Sequence, residues 1–284
     1  MSAVRGSGPV VIIAGSGDLP LRLADRLVGA GRECRILALR GFASRALRAR
    51  ADAAVGLLDA RGALACLERW NPACVTLAGG LRRPDLGAVL DAYSAFRSRD
   101  ELSRLLARGD DNLLRGALGL LEERGFQLAG IPDLAPELLA PAGPLGARAP
   151  GDAAASSIPL GLSLLATLSP FDIGQSVVVS GRRVLAVEGP EGTDRMIARV
   201  RRLDGGLLSR PVGGGVLVKA PKAGQDLRID LPAIGPRTVA NAAKAGLSGI
   251  AIASGLTIVV DQAETVRAAD RLGLFVYGCG PVLS

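Results

Sequence analysis

Residues Val218 to Thr238 read VKAPKAGQDLRIDLPAIGPRT: two lysines, two arginines, two aspartates and a glutamine on a segment stiffened by three prolines. Cations this close to carboxylates suit a phosphate-bearing ligand. Lys219 and Lys222 can pair with phosphate, while Gln225, Asp226 and Asp230 supply oxygen donors. If the segment is extended, alternation puts Asp226, Arg228 and Asp230 on one side; a surface ion-pair ladder would look the same in sequence. The chain has no histidine. A water activated by a metal ion and a carboxylate is therefore the natural nucleophile.

A second acidic cluster lies in AVEGPEGTDRMIAR, Ala186 to Arg199. Glu188 ends a strand-like run, Glu191 and Asp194 follow on a turn, and Thr193 or Asp194 is placed to cap a helix. Three acids within seven residues can hold a hard divalent cation, which takes oxygen ligands and bridges to phosphate. Capping accounts for Asp194 and leaves Glu188 to be explained. The candidate metal ligands are thus Glu188, Asp194, Asp226 and Asp230.

Two glycine-rich turns follow strand-like runs. AGSGDLPLRLA contains Gly15, Ser16 and Gly17, with Asp18 at a capping position and Pro20 in the first helical turn. LAGGLRRPDL contains Gly79 and Gly80, with Arg82 and Arg83 close behind. Backbone N–H groups at such a turn, helped by the helix dipole, attract anions. The first turn is not G-x-G-x-x-G, because Pro20 stands at the third glycine position, and a purely structural β-α turn stays open. A third polar run, ARGDDNLLR, has Asp110, Asp111 and Asn112 where a helix begins.

These residues need elements to carry them. In the first half, VVIIAG, CRILAL, AAVGL and CVTLAG read as buried strands, alternating with helical patterns at LRLADRLVGAG, RGALACLERW and LLRGALGLLEER; FQLAGI closes the half. Repeated β-α units imply a parallel, doubly wound sheet. The second half restarts with QSVVVSGRRVLAVEG, a hairpin signal, followed by GVLVKA, GIAIAS, LTIVVD, a helix over Glu264 to Leu272 and LFVYG. The expected architecture is α/β: a Rossmann-like, nucleotide-binding parallel-sheet domain over 1–135, a Pro/Gly-rich linker over 136–160, and a catalytic α/β domain with a mixed sheet over 161–284. In a doubly wound sheet ligands sit beyond the carboxyl ends of the strands, so both glycine turns belong on one edge.

Composition bounds the partners. Aromatic residues are 3% of the chain, too few for the stacking platforms that single-stranded nucleic acids use. The net charge of +7 comes mostly from scattered arginines, with no basic tail; GC-rich codons or an affinity for phosphates and anionic bilayer surfaces would each produce it. The four cysteines lack C-x-x-C spacing, and with no histidine they make no zinc set. Cys34 and Cys74 sit in apolar runs, as buried thiols in a reducing cytoplasm do. Ala153 to Phe171 carries no charge, but Pro159 and Pro170 interrupt it and its apolar core is short, so it is expected to be a buried helix rather than a membrane span.

The segments IAGSGDLP, LAGGLRRP, RGDDNLLR, DIGQSVVV, AVEGPEGTDRMI and VKAPKAGQDLRIDLPAIGPRTV together resemble the UDP-2,3-diacylglucosamine pyrophosphatases of the lipid A pathway. The resemblance is to the metal-dependent type unrelated to the calcineurin-like enzymes, and it runs nearly end to end. It implies hydrolysis of UDP-2,3-diacylglucosamine to UMP and 2,3-diacylglucosamine 1-phosphate, with Mg²⁺, or Mn²⁺ in its place, and attack on the β-phosphorus. It further implies two domains closing over the substrate with the lipid chains between them. Asp226 would be the critical acid, assisted by Lys222 and Gln225. Gly15, Ser16, Gly17, Asp18, Gly79, Gly80, Arg82, Thr193, Lys219 and Arg228 would bind substrate. The enzyme would work in the cytoplasm, peripheral to the anionic inner membrane, with no nucleic acid; a homodimer is compatible. One rival is a nicotinamide-dependent oxidoreductase, which calls for an acid after the second strand, where the chain has Arg40. The other, a non-catalytic nucleotide-binding protein, leaves Glu188, Asp194, Asp226 and Asp230 without a role.

Overall fold

A computed structural model describes residues 7–57, 59–80, 110–171, 173–203, 214–228 and 230–280. The chain divides into two compact units, Met1–Pro136 and Glu137–Ser284, both α/β.

The first unit begins β1 (Val10–Ala14), α1 (Leu19–Gly29), β2 (Cys34–Leu39), α2 (Arg45–Arg50), β3 (Ala53–Val55), α3 (Ala60–Trp70) and β4 (Cys74–Ala78). The strands form a parallel sheet in the order β3-β2-β1-β4. Each is too apolar to face water on both sides, and every crossover is helical, as a parallel sheet requires. α1 turns Leu23, Ala24 and Leu27 inward, with Pro20 in its first turn; Asp18 occupies the N-cap position but its carboxylate makes no cap bond. α4 (Asp110–Glu123) starts at the predicted aspartates. FQLAGI forms only a single parallel bridge, Leu128 to Val75, before α5 (Ile131–Leu134).

The second unit is built on a six-stranded mixed sheet. Its strands are β5 (Gly143–Pro144), β6 (Ser176–Ser180), β7 (Arg183–Val187), β8 (Val216–Lys219), β10 (Gly249–Ala253) and β12 (Phe275–Cys279), in the order β5-β12-β10-β8-β6-β7. β8, β10 and β12 are parallel; β6 runs antiparallel to both β8 and β7. The β6–β7 hairpin is the one predicted at SGRR, and Gly181 turns it with φ +56°. LTIVVD contributes only β11 (Ile258–Val259), paired with β9 (Ala233–Ile234) in a separate parallel ribbon.

Alternating side chains sort this sheet into two apolar faces. Val178, Leu217, Ile250, Ile252 and Val276 pack against α7 (Thr193–Arg201), α8 (Pro236–Lys244) and α9 (Gln262–Leu272). Val177, Val179, Val216, Val218 and Ala251 pack against α6 (Asp152–Leu168) through Ala154, Ile158, Leu162 and Leu165. Asp152–Phe171 is long and apolar enough to cross a membrane by length and composition, yet α6 covers one face of the sheet and bonds to it: Gly181 N–H donates to Ser157 Oγ at 2.9 Å.

Candidate active site

Two sets of residues are brought together, one in each unit. In the first, the order β3-β2-β1-β4 reverses direction between β1 and β4, the switch point where open α/β sheets bind ligands. Both glycine turns lie there. Ser16 and Gly80 exchange two backbone hydrogen bonds of 2.9 Å, and Ser16 Oγ donates to the Gly80 carbonyl at 2.8 Å. A Cβ on Gly79, whose φ is +92°, would meet the Ser16 carbonyl at 2.5 Å; around Gly17, with φ +90°, the space is open. The N–H groups of Gly15, Ser16 and Gly80 are already donated to carbonyls. The turns therefore brace each other, and a phosphate would be met from Gly17 onward. Arg82 and Arg83 lie outside the described residues. Arg40, at the end of β2, gives its guanidinium to the Ala54 carbonyl at 2.9 and 3.2 Å.

In the second unit, one sheet edge gathers Gln175 and Ser176 at the start of β6, Glu188 just after β7, and Lys219 at the end of β8; Ser176 lies opposite Lys219 in register. Glu188 and Lys219 are only 9% and 7% exposed. Thr193 mediates between them: Lys219 Nζ donates to Thr193 Oγ1 at 2.7 Å, and that hydroxyl donates to Glu188 Oε1 at 2.9 Å, with Ser176 Oγ 3.2 Å away. Gly174 packs flat on the Glu188 stem, where a Cβ would stand 2.5 Å from Cγ. Glu188 Oε2 is buried with no hydrogen-bond partner. A buried polar atom left so is costly unless a ligand completes it. The predicted cap at Thr193 or Asp194 does not form: the cap is Gly192, and no side chain bonds there. Thr193, freed from capping, points its hydroxyl into the lysine–glutamate pair.

The segment after β8 is folded back on itself rather than extended, which overturns the one-sided ladder expected from alternation. Gln225 N–H donates to the Lys222 carbonyl, Asp230 N–H to the Asp226 carbonyl, and Gly224 sits at φ +71°. Arg228 grips both carboxylate oxygens of Asp226, at 2.7 to 3.3 Å. Asp230 Oδ2 accepts from Gln175 Nε2 at 2.7 Å and from Gln225 Nε2 at 2.5 Å. Gln225 Oε1 accepts from Gln175 Nε2 at 3.1 Å and from the Lys222 N–H at 2.9 Å.

Residues 9–138 match the model of the LpxI N-terminal domain and residues 141–277 that of the LpxI C-terminal domain. The chain belongs to the LpxI family. It is 38% identical over 271 residues to the UDP-2,3-diacylglucosamine pyrophosphatase LpxI of Caulobacter vibrioides, covering 95% of this chain and 97% of that one. The resemblance first seen in the glycine turns and the GQD segment thus extends through both units.

Within this LpxI-family chain the four acids expected to hold metal do not converge. Asp194 turns to α8, accepting from Asn241 Nδ2 at 2.9 Å and pairing with Arg237 at 2.9 Å. Glu191 pairs with Arg199 at 2.9 Å. Among the described residues no three His, Cys, Asp or Glu side chains form a group able to hold an ion. Mg²⁺, however, keeps several waters and binds through one or two carboxylates plus substrate phosphates. The buried, unpartnered Glu188 Oε2 fits that need as a single protein donor. Gln175 and Ser176 join the site although they precede an all-valine run whose composition signals only a strand.

Proposed function

We propose that this chain hydrolyses the diphosphate of UDP-2,3-diacylglucosamine, releasing UMP and 2,3-diacylglucosamine 1-phosphate, with Asp226 as the base toward water and Mg²⁺ as the metal. The observation that carries the reading is the edge of the second sheet. There a buried Lys219 ammonium, held by Thr193 against Glu188, stands beside a loop bearing Asp226 and Arg228, in a chain that aligns end to end with an enzyme named for this activity.

Each residue then has a task. Lys219 offers a cation in a water-poor setting, where attraction to a phosphate oxygen is strong. Thr193 keeps that ammonium from collapsing onto Glu188, because its hydroxyl stands between them. Glu188 is the residue that would hold Mg²⁺ through Oε2, and the bound ion would neutralise charge on the diphosphate. Arg228 would exchange its grip on Asp226 for a phosphate oxygen, leaving Asp226 free to take the proton of water. The basic chain would work against the anionic inner-membrane surface where its lipid substrate lies, as a peripheral enzyme and, in our reading, as a homodimer.

The test is incubation with UDP-2,3-diacylglucosamine, with Mg²⁺ and with excess EDTA, followed by mass identification of products. UMP and the sugar 1-phosphate should appear with Mg²⁺ and vanish with chelator. Run in ¹⁸O-water, the label should enter the sugar 1-phosphate, as attack on the β-phosphorus requires. Intact substrate would overturn the function; label in UMP would overturn the site of attack.

A further inference from the structure

Gln175 is tied to the loop carrying Asp226 through both its backbone and its side chain. Its backbone carbonyl accepts from the Ala220 N–H at 3.1 Å, just past the end of β8. Its side-chain Nε2 donates to Asp230 Oδ2 at 2.7 Å and Gln225 Oε1 at 3.1 Å. Gln225 closes the ring by donating to the same Asp230 oxygen, and its own oxygen takes the Lys222 N–H. Both hydrogens of the Gln175 amide are used, and both loop residues it holds flank Asp226 in sequence, one on each side. An amide donating to both flanks of one acid fixes the chain between them without touching the acid.

We propose that Gln175 is a positioning residue for Asp226. With Gln225 and Asp230 it forms a three-residue clasp that pins the 220–230 loop to the start of β6 and so sets where the Asp226 carboxylate meets the substrate. The role of Asp230 follows: its Oδ2 is the acceptor of the clasp. Displacement of a reacting group by about 1 Å costs on the order of 10²-fold in rate, and the clasp is what resists such a displacement. This proposal rests on the reading of Asp226 as the base.

The experiment compares the full-length wild type with Gln175→Ala, Asp230→Ala and the double variant. It measures kcat and KM on UDP-2,3-diacylglucosamine, thermal midpoint, and the rate of tryptic cleavage after Lys222 and Arg228. Gln175→Ala should lower kcat by roughly 10²-fold with KM within about twofold and the midpoint nearly unchanged. Cleavage after Lys222 and Arg228 should quicken at least tenfold. The double variant should be no slower than the worse single variant, because both substitutions open one clasp. Multiplied losses in the double variant would mean that Asp230 acts on its own, and would overturn the assignment. Faster cleavage with normal kcat, or unchanged cleavage, would overturn it too. Cleavage needs no turnover, so a wild type inactive on this substrate, with a Gln175→Ala loop that opens, would show the hydrolase reading failing while the clasp itself stands; it would remove the positioning role.

Discussion

At the scale of single residues, Thr193 and Asp226 test the site from two sides. Thr193 sits between a buried ammonium and a buried carboxylate. Thr193→Val keeps the shape and deletes the hydroxyl, leaving Lys219 Nζ and Glu188 Oε1 without their mutual partner. An unsatisfied buried polar group costs about 1–3 kcal/mol, so the variant should lose both stability and turnover, seen in a urea midpoint and in kcat/KM. Asp226→Ala should behave otherwise. Its carboxylate is partly exposed and paired with Arg228 across a turn, so folding and substrate binding should survive while kcat falls by roughly 10²-fold or more. A folded Asp226→Ala chain turning over at the wild-type rate would move the role of base to another acid. Residue types had pointed to Lys219 and Asp226 because cations and acids crowd one short segment, and to Glu188 because three acids fall within seven residues of another. They could not show that Thr193 mediates, that Asp194 faces α8, or that Asp230 accepts from two glutamine amides. The last of these depends on a turn whose backbone bonds, Asp230 N–H to the Asp226 carbonyl among them, leave no trace in alternation; the first two depend on how α7 packs, which local spacing does not encode.

At the scale of elements, strands of continuous apolar residues were legible where they lie inside the two main sheets. VVIIA, CVTLA, SVVVS and GIAIA all form as read. Segments such as LTIVVD and FQLAGI have the same composition but make only a two-residue strand and a lone bridge, because pairing depends on neighbours that composition does not encode. The glycine turns show the same division between composition and contact. Gly17 and Gly79 both have positive φ, but a side chain at Gly79 would strike the Ser16 carbonyl while one at Gly17 would enter open space. Gly17→Ala should therefore carry only backbone strain, roughly 1–3 kcal/mol, with weaker nucleotide binding as its larger effect. Gly79→Ala adds a clash that separates the two turns, so its thermal midpoint should drop further than that of Gly17→Ala. Equal midpoints for the two would mean that the Ser16–Gly80 pairing contributes nothing to the fold.

At the scale of the whole molecule, the absence of histidine removes the usual source of pH dependence near neutrality, and the two flanks of the stability curve are set by other groups. On the acid side, the Arg271 and Arg267 guanidiniums bonded to Glu264 hold its carboxyl below the usual value; that support is present above the unfolded value and lost as pH falls through the folded one. Its exposure at the surface keeps it small. On the alkaline side thiols contribute. Burial, only partial at Cys34, pushes Cys34 and Cys279 up to about 11 from an ordinary 9.0, with the Asp52 carboxylate adding to the rise at Cys34. Between those values the unfolded chain has released protons that the folded chain still holds. Stability therefore falls as pH rises through that window: the contribution is intact below 9 and gone above 11. Lysine and tyrosine titrate in the same range, so the decisive comparison is with a Cys34→Ala/Cys279→Ala chain under identical conditions. The difference in urea midpoint between wild type and variant should shrink steadily from pH 8.5 to pH 11. A difference that stays constant across that range would mean that neither thiol keeps its proton in the folded state beyond its ordinary value.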